Sequence, residues 1–568
     1  MANSVYQIVP LRRVPQKFSL LDYDLAPGSR LPQQGEIVRI PFGASTIQGL
    51  IWASGASPGN AVFKRKTFSL EDAPTYFTPA QCHLLFWLAR ETLTPMPVVA
   101  MHMLPSNQLI TKATFKQPKL QGILAPQLEV REQIIQAFSR QAAVEGSTLV
   151  FVPALAYAAT WEKAFGQRCV IIHGKLSKKQ KSALLATKPT LIISTQVGLF
   201  LPYVDIRHIV LDQVDDDGYF AFDQAPRFDV RRGAQELAGA YGASLTLIAR
   251  WQSPTVQGLF PKAVWRGDAP ATWTMIDRTG EAGPQRRSSI AAGLAERIRT
   301  GRTLWLVHRK AEAGQLRCND CGMVMQCPTC KRPLQVVRNA NTNVLFCPQD
   351  KLRQLMPEAC PHCQSVQLST LGKGVRTIAK DIQETLQQSV ATIDAEHALD
   401  NIDAPQVVST TAIANNLNQQ FDRVIIVSAE SFLAPGNYRG TEELYNTLAL
   451  AQQHIRRGGE LFYQTFQPEN VELQHAQQVM ARDSETRLQM HYPPFGTLIV
   501  LQPRSRSTTL SPTPLHAAIA EALPAVQHGR YWIIRVAALQ RAKVLALLQE
   551  QLNDSWEATV DPPRLPQD

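Results

Sequence analysis

Seven of the nine cysteines fall between Cys318 and Cys363, and their spacing is that of metal ligands. The run reads Cys318-x2-Cys321, Cys327-x2-Cys330, a single Cys347, then Cys360-x2-Cys363. A Cys-x2-Cys pair lets two thiolates from one tight turn reach the same ion, and two such pairs complete a tetrahedral zinc site. Asp350 follows Cys347 at the same x2 spacing, where an eighth cysteine would stand. Carboxylates also ligate zinc, so the window could hold two ions, the second more weakly. Disulfides or separate core thiols are the alternative use of the same residues. No triad or nucleophile constellation accompanies the cysteines: His173, His208 and His362 lack a catalytic partner in sequence, and Asp215-Asp216-Asp217 reads as a surface acidic turn.

The chain that positions these residues has 568 of them, 45% apolar, a length that suggests roughly four domains. No apolar leader follows the N-terminus and no run of 18 apolar residues occurs, which argues against secretion or membrane insertion. A cytoplasmic, reducing location is the expectation, and there paired cysteines hold metal more often than they cross-link. The formal charge of +11 favours a polyanionic partner. Basic clusters lie at Arg12-Arg13, Lys64-Arg65-Lys66, Lys175 with Lys178, Lys179 and Lys181, Arg227 with Arg231 and Arg232, and Arg286-Arg287.

The first hundred residues read as β-rich and punctuated by Pro and Gly, with strands at 6–9, 36–40 and 48–52 and a helix over 78–92. Beyond about 110, short apolar runs alternate with helical stretches. The candidate strands are 147–152, 169–173, 190–194, 208–211 and 245–249, then 303–307, 407–409, 423–428 and 460–465. Near-continuous apolar strands of this kind belong to parallel sheets covered on both faces. Two series predict two α/β lobes with the cysteine module inserted in the second. The tail from about 470 reads as a small α+β unit.

The order and spacing of these segments resemble the PriA family of replication restart proteins, superfamily 2 DNA helicases, over nearly the whole chain. Val9-Pro-Leu-Arg-Arg-Val-Pro15, Leu21-Asp22-Tyr23 and Val38-Arg-Ile-Pro-Phe-Gly43 look like that family's domain for the 3′ end of a nascent strand. Ser194-Thr-Gln-Val-Gly-Leu-Phe-Leu-Pro-Tyr203 resembles the segment before its Walker B strand, and Tyr492-Pro-Pro-Phe-Gly496 a motif opening its C-terminal domain. The resemblance implies a 3′ DNA-binding domain over 1–108 and RecA-like parallel-sheet lobes over 109–270 and over 271–312 with 372–468. It further implies a zinc-binding module over 313–371 and a C-terminal domain over 469–568. It assigns Cys318, Cys321, Cys360 and Cys363 to one zinc ion, and Cys327, Cys330, Cys347 and Asp350 to a second. It assigns capture of the 3′-terminal base to Asp22, Tyr23, Gly43 and Lys64, and a DNA-proximal position to Arg227 and Arg231. No room is left after His102-Met-Leu-Pro105 for the family's winged-helix domain.

Where the resemblance predicts an ATPase, the residues depart from it. A phosphate loop needs a Gly-rich cradle of amides, a Lys for the phosphates and a hydroxyl for magnesium. The matching stretch is Gly122-Ile-Leu-Ala-Pro-Gln-Leu-Glu129, with Leu128 and Glu129 at the Lys and Ser/Thr positions and Pro126 removing an amide. Asp-Glu-Glu-His becomes Asp212-Gln213-Val214-Asp215, Gly-Ser-Ala-Thr-Pro becomes Ala249-Arg-Trp-Gln-Ser253, and Lys-Gly becomes Asn415-Asn416. The arginine-finger segment has no counterpart, Arg456 and Arg457 being wrongly spaced.

ATP and magnesium are therefore not expected as working cofactors. The reading is a PriA-like replication restart protein that binds forks, 3′ ends or single strands of DNA. It would act as a monomer and help load replication or primosome proteins without ATP-driven unwinding. The competing readings are an active 3′-to-5′ helicase with a non-standard nucleotide site, and a zinc-ribbon adaptor.

Overall fold

The structure, a computed structural model, describes residues 5–565 apart from 56–65, 71–72, 111–113, 142–146, 268–272, 284, 286–287, 309–314, 319, 322, 324, 329–333, 339–342, 348–351, 372–374, 394–402, 416–418, 433–437, 467, 469–475, 505–524, 529–530 and 553–554. The chain forms two compact units. The first comprises residues 1–125, 129–268 and 484–563, and the second comprises 126–128, 269–483 and 564–568. Among the described residues no helix is long and apolar enough to cross a membrane.

The first unit opens with a six-stranded sheet of β1 (Val5–Pro10), β2 (Leu21–Leu25), β3 (Glu36–Phe42), β4 (Ser45–Ser54), β5 (Lys66–Phe68) and β6 (Thr75–Tyr76), ordered β5-β2-β1-β4-β3-β6. Tyr6, Ile8, Tyr23, Val38, Ile40, Ile51 and Phe68 form a core on one face of it. Helix α1 (Pro79–Glu91) starts at a capping box, Thr78 accepting from the Gln81 amide and Gln81 returning the bond, with Pro79 in the first turn.

Lobe 1 follows, with β7 (Leu120–Leu124), α2 (Leu128–Gln141), β8 (Ser147–Phe151), α3 (Ala158–Phe165), β9 (Cys169–Ile172), α4 (Lys178–Ala186), β10 (Leu191–Ser194) and β11 (Ile206–Asp212). It continues through α5 (Val230–Tyr241), β12 (Ser244–Ala249) and β13 (Val264–Arg266). The sheet is ordered β13-β7-β12-β11-β8-β10-β9, and every pairing in it is parallel. Its central strands carry buried side chains on both faces, as their unbroken apolar sequences require.

The second unit holds β14 (Thr274–Asp277) and β15 (Thr303–Leu306), then the cysteine module with β16 (Gln315–Cys318), β17 (Gln335–Arg338), β18 (Asn343–Phe346), β19 (Arg353–Leu355) and β20 (Leu368–Leu371). It resumes with α6 (Val375–Leu386), β21 (Val390–Ile393), β22 (Gln406–Ser409), β23 (Phe421–Ile426), α7 (Gly440–Gln453) and β24 (Ile455–Thr465). These make a parallel sheet ordered β14-β24-β23-β15-β22-β21 and a separate antiparallel sheet ordered β19-β18-β17-β16-β20 for the module. The two expected lobes and the inserted module are thus present.

The C-terminal sheet, from β25 (Gly496–Pro503), β26 (Ala525–His528), β27 (Tyr531–Ala537) and β28 (Trp556–Val560), is antiparallel, with α8 (Arg541–Gln551) packed on it. It belongs to the first unit, and a cluster of four charges shows why. Arg541 Nε donates to Glu91 at 2.8 Å and its Nη1 to Asp561 at 2.5 Å, while Arg232 Nη1 reaches the same Asp561 at 3.1 Å. Asp561 also accepts the Leu498 amide at 3.0 Å. One carboxylate therefore ties α8 and β25 to α5 of lobe 1, and Glu91 brings in α1. Asp561→Ala leaves two guanidiniums facing each other and is expected to cost about 2–3 kcal/mol. Hydrogen exchange checks it: protection in 496–560 should fall while the cysteine module is unchanged, and equal exchange in parent and variant would show the clamp to be idle.

Candidate functional site

The acidic end of β11 is the first site to follow from the fold, because a strand ending in Asp212 delivers a carboxylate to the edge of a parallel sheet, where such folds bind ligands. Here that carboxylate is already engaged. Arg131, in the second turn of α2, donates from Nε to both Asp212 oxygens at 3.0 and 3.2 Å and from Nη2 at 2.5 Å. Trp161 Nε1 donates to the same carboxylate at 2.7 Å. The remaining guanidinium donors go to Thr160 Oγ1 and the Tyr157 carbonyl, both at 3.0 Å. Neither charged group has any exposed surface, both being 0% accessible. A guanidinium in van der Waals contact with Asp212 repels a second cation there.

A second buried pair stands beside it and corrects the expectation of a surface acidic turn. Asp215 is 1% exposed and accepts from the Arg250 amide at 2.9 Å and from Arg250 Nε at 2.7 Å. Arg250 Nη2 also reaches Asp216 at 3.1 Å. Burial pushes the Asp215 pKa up, and the charge and hydrogen bonds of Arg250 pull against it. Gln213 lies between the two pairs with φ +54, fully buried, neither end of its amide hydrogen-bonded among the described residues.

The stretch aligned with a phosphate loop is built for packing. Gly122 lies within β7, where a Cβ would come within 2.4 Å of the Trp265 ring. Glu129 is exposed in the first turn of α2, where its charge complements the helix dipole that would otherwise attract a phosphate. Trp265 therefore covers a strand, and Trp251, 4% exposed, offers no free face for base stacking.

The N-terminal domain holds an open cavity of about 550 Å³ lined by Arg12, Arg13, Val14, Pro15, Phe18, Phe42, Gly43, Ala44 and Ser45. It lies at the β3–β4 hairpin, whose two-residue turn is Gly43-Ala44 between the paired Phe42 and Ser45. Gly43 has φ +60 and open space where a Cβ would project, so its backbone is approachable and its conformation is one glycine adopts without strain. The lysine that meets this turn is Lys66, whose Nζ donates to the Gly43 carbonyl at 3.1 Å, while Lys64 lies outside the described residues. Tyr23 is 5% exposed and its hydroxyl donates to the Pro41 carbonyl at 3.0 Å, which makes it a brace beneath the hairpin instead of a stacking surface. Asp22, half-buried on the other face of β2, does not line the cavity. In the sequence, Lys66 stands out only within the basic cluster 64–66 and Phe42 only within the Pro-Phe-Gly turn, while Phe18 is missed because no signal marks it.

Of the two arginines expected near DNA, Arg231 is committed inside the protein. Arg231 is fully buried, grips Asp229 through Nε at 2.8 Å and Nη2 at 2.8 Å, donates to the Val214 carbonyl at 3.0 Å and stacks 4.6 Å from the Phe220 ring. With no solvent face it cannot reach a phosphate. Arg227 is half-buried, pairing with Glu557 on β28 and donating to the Phe222 carbonyl at 3.1 Å.

Cys318, Cys321, Cys360 and Cys363 converge with all four sulfurs within 4.8 Å of one another. Cys318 and Cys363 are 3.5 Å apart and Cys321 and Cys360 3.7 Å, with free thiols throughout. Four sulfurs about 2.3 Å from a tetrahedral zinc lie about 3.8 Å from each other, so the cluster fits that ion. The Cys321 and Asp320 amides point at the Cys318 sulfur and help lower its pKa to about 7, favouring the thiolate that a metal needs. Each pair sits in the same turn, with Cys318 N bonding Met323 O and Cys360 N bonding Ser365 O, both at 2.8 Å. Cys347 N bonds Leu352 O at 2.9 Å, the same step of five residues. Cys327 and Cys347 are fully buried in the module core, while Cys330 and Asp350 lie outside the described residues.

The fold thus combines a β-rich sheet domain carrying a basic hairpin cavity with two parallel-sheet lobes. Residues 8–105 match the family model of the PriA 3′ DNA-binding domain. The chain is 23% identical over 407 residues to replication restart protein PriA of Synechocystis, covering 63% of this chain and 49% of that one. It is 21% identical to PriA of Helicobacter pylori strain J99, covering 83% and 82%, and 22% identical to PriA of Haemophilus influenzae, covering 85% and 72%. The chain is thus similar to PriA proteins over most of its length, at 21–23% identity, and its N-terminal domain matches that of the family.

Arg131→Ala leaves Asp212 charged and buried without its partner, and a cost of about 3–5 kcal/mol is expected. Pairing it with Asp212→Leu should recover most of that loss. Denaturant unfolding of both variants checks the assignment, and a single variant as stable as the parent would refute it.

Proposed function

We propose that this chain is a non-motor member of the PriA family that holds 3′ DNA ends in its N-terminal cavity and supports replication restart without turning over ATP. The observation that carries the reading is Arg131 paired with Asp212 at 2.5 Å, which fills with a fixed guanidinium the place where a nucleotide-bound magnesium would need a free carboxylate. The absent phosphate-loop lysine and hydroxyl agree with it, as does Glu129 at the head of α2. At the DNA end, the open backbone of Gly43 would accept a terminal ribose, Phe18 and Phe42 would meet the base, and Arg12, Arg13 and Lys66 would neutralise phosphates. Asp22, Lys64 and Arg227 are secondary contacts in this reading. Loading of replication or primosome proteins by a cytoplasmic monomer completes it.

Purified protein should release no phosphate from ATP above background, with or without forked DNA. Turnover that DNA stimulates and Asp212→Asn abolishes would overturn the reading. An oligonucleotide with a 3′-hydroxyl should bind at least about tenfold more tightly than the same strand with a 3′-phosphate, and Gly43→Val should erase the difference.

The cysteine module is proposed to bind zinc through Cys318, Cys321, Cys360 and Cys363, and a second ion through Cys327, Cys330, Cys347 and Asp350. The ions would supply folding stability. Elemental analysis should give two zinc per chain in the parent and one in Asp350→Ala after mild chelation. Two ions retained by that variant would remove Asp350 from the ligand set.

A further inference from the structure

Lobe 1 carries a basic surface that the cavity and the ion-pair network leave unexplained. Lys175, Lys178 and Lys179 are exposed and Lys181 half-exposed, in the turn before α4 and its first two turns. No acidic partner is found for any of the four among the described residues, whereas Arg131, Arg231, Arg232 and Arg250 are all internally paired.

The position is unfavourable for cations. Lys178 and Lys179 occupy the first two positions of the helix, where the macrodipole disfavours positive charge, and Lys178 and Lys181 are like charges one turn apart. The Ser177–Gln180 capping box starts the helix without their help. Nothing in the local fold repays this repulsion, and a polyanion would.

This surface and the cavity wall each place a cation near His102. His102 Nε2 meets the Ala225 carbonyl at 3.1 Å, and its ring is acted on by both Arg13, on the cavity wall, and Lys178, at the head of α4. Burial lowers its pKa, the Ala225 carbonyl opposes this, and the charges of Arg13 and Lys178 lower it further. Arg12 and Arg13, like the lysines, have no acidic partner among the described residues.

We infer that the strand whose 3′ end enters the Gly43 cavity continues over lobe 1, its phosphates neutralised by Lys175, Lys178, Lys179 and Lys181. This rests on the end-binding reading above and adds the path of the strand. The lobe would then work as a fixed cradle for the strand 5′ of the captured end.

The test uses the full chain and fluorescein-labelled oligo-dT of about 6 and about 25 nucleotides with a free 3′-hydroxyl, titrated from about 50 to about 200 mM salt. The variant replaces the four lysines together with glutamine, which keeps the exposed helix and its cap. For the long strand the slope of log affinity against log salt should flatten by about 2–3, and affinity at the low-salt end should fall tenfold or more. For the short strand, and for the preference between 3′-hydroxyl and 3′-phosphate ends, the variant should match the parent. An unchanged slope with the long strand overturns the inference. Equal losses on both lengths also overturn it, since they place the lysines at the end pocket. Loss of end preference in the parent itself would remove the cavity reading and leave the lysine result to be judged by the length comparison alone.

Discussion

A buried carboxylate at the end of a parallel strand must be neutralised by something. In a working nucleotide site that something is a metal ion brought by the substrate, so the empty protein carries the cost between turnovers. Here Arg131 supplies the charge permanently, with Trp161 completing the hydrogen bonding. The exchange settles the fate of the residues around it. Leu128 and Glu129 stand where a phosphate loop carries its lysine and hydroxyl, beside an Asp212 that is already paired. Leu128, Pro126 and Glu129 then become compatible with the helix start. Arg250 repeats the solution one strand over, neutralising Asp215 and reaching Asp216. The departures from the family's motor motifs are therefore coupled, joined by one requirement of charge balance.

The same requirement explains how lobe 1 is held together. Pairs that are fully desolvated cost little to keep once formed and much to break singly, so they fix geometry more than they add stability. Arg131 pins α2 to β11, Arg250 joins β12 to the turn after β11, and Arg231 holds the start of α5 against the same turn through Asp229 and Val214. Arg232 and Arg541 then fasten the C-terminal sheet to α5 and α1 through Asp561 and Glu91. The first unit is stitched by arginine at each seam between its parts. A lobe built this way suits holding a strand at a constant distance from a captured end better than it suits a cycle of opening and closing.

Much of this was legible in the sequence because it rests on local pattern. Short apolar runs such as 191–193 and 209–211 are strands for the reason expected, burial on both faces. The Cys-x2-Cys spacing predicted paired metal ligands, the family resemblance assigned Cys318, Cys321, Cys360 and Cys363 to one ion, and their sulfurs do meet. What could not be read was the partner of a charge. Arg227 and Arg231 look alike in a basic cluster, yet one pairs with Glu557 from the far end of the chain and the other with Asp229 two residues away. Strand β7 was missed because Gln121 and Gly122 interrupt its apolar run, and only the Trp265 ring lying on it shows why glycine belongs there. Asp215 failed in the opposite direction: three consecutive aspartates suggest water, and Arg250, 35 residues on, takes the first of them inside.

The cysteine module applies the same logic of replacing one charge carrier by another. Three turns in it share an amide-to-carbonyl bond across five residues, at Cys318, Cys347 and Cys360. Two of those turns end in Cys-x2-Cys, and the third in Cys347-x2-Asp350. The Cys347 amide bonds Leu352 as those of Cys318 and Cys360 bond Met323 and Ser365, and the module's apolar core includes Leu316, Leu334, Val336 and Leu345. A carboxylate in place of a thiolate keeps the ligand charge at minus one but is a harder donor, and soft zinc-thiolate bonding weakens with it. The Cys318 and Cys360 turns are thus held by their own backbone bonds, whereas Asp212 in lobe 1 is held by the side chains of Arg131 and Trp161; in both, the geometry is fixed by the chain itself.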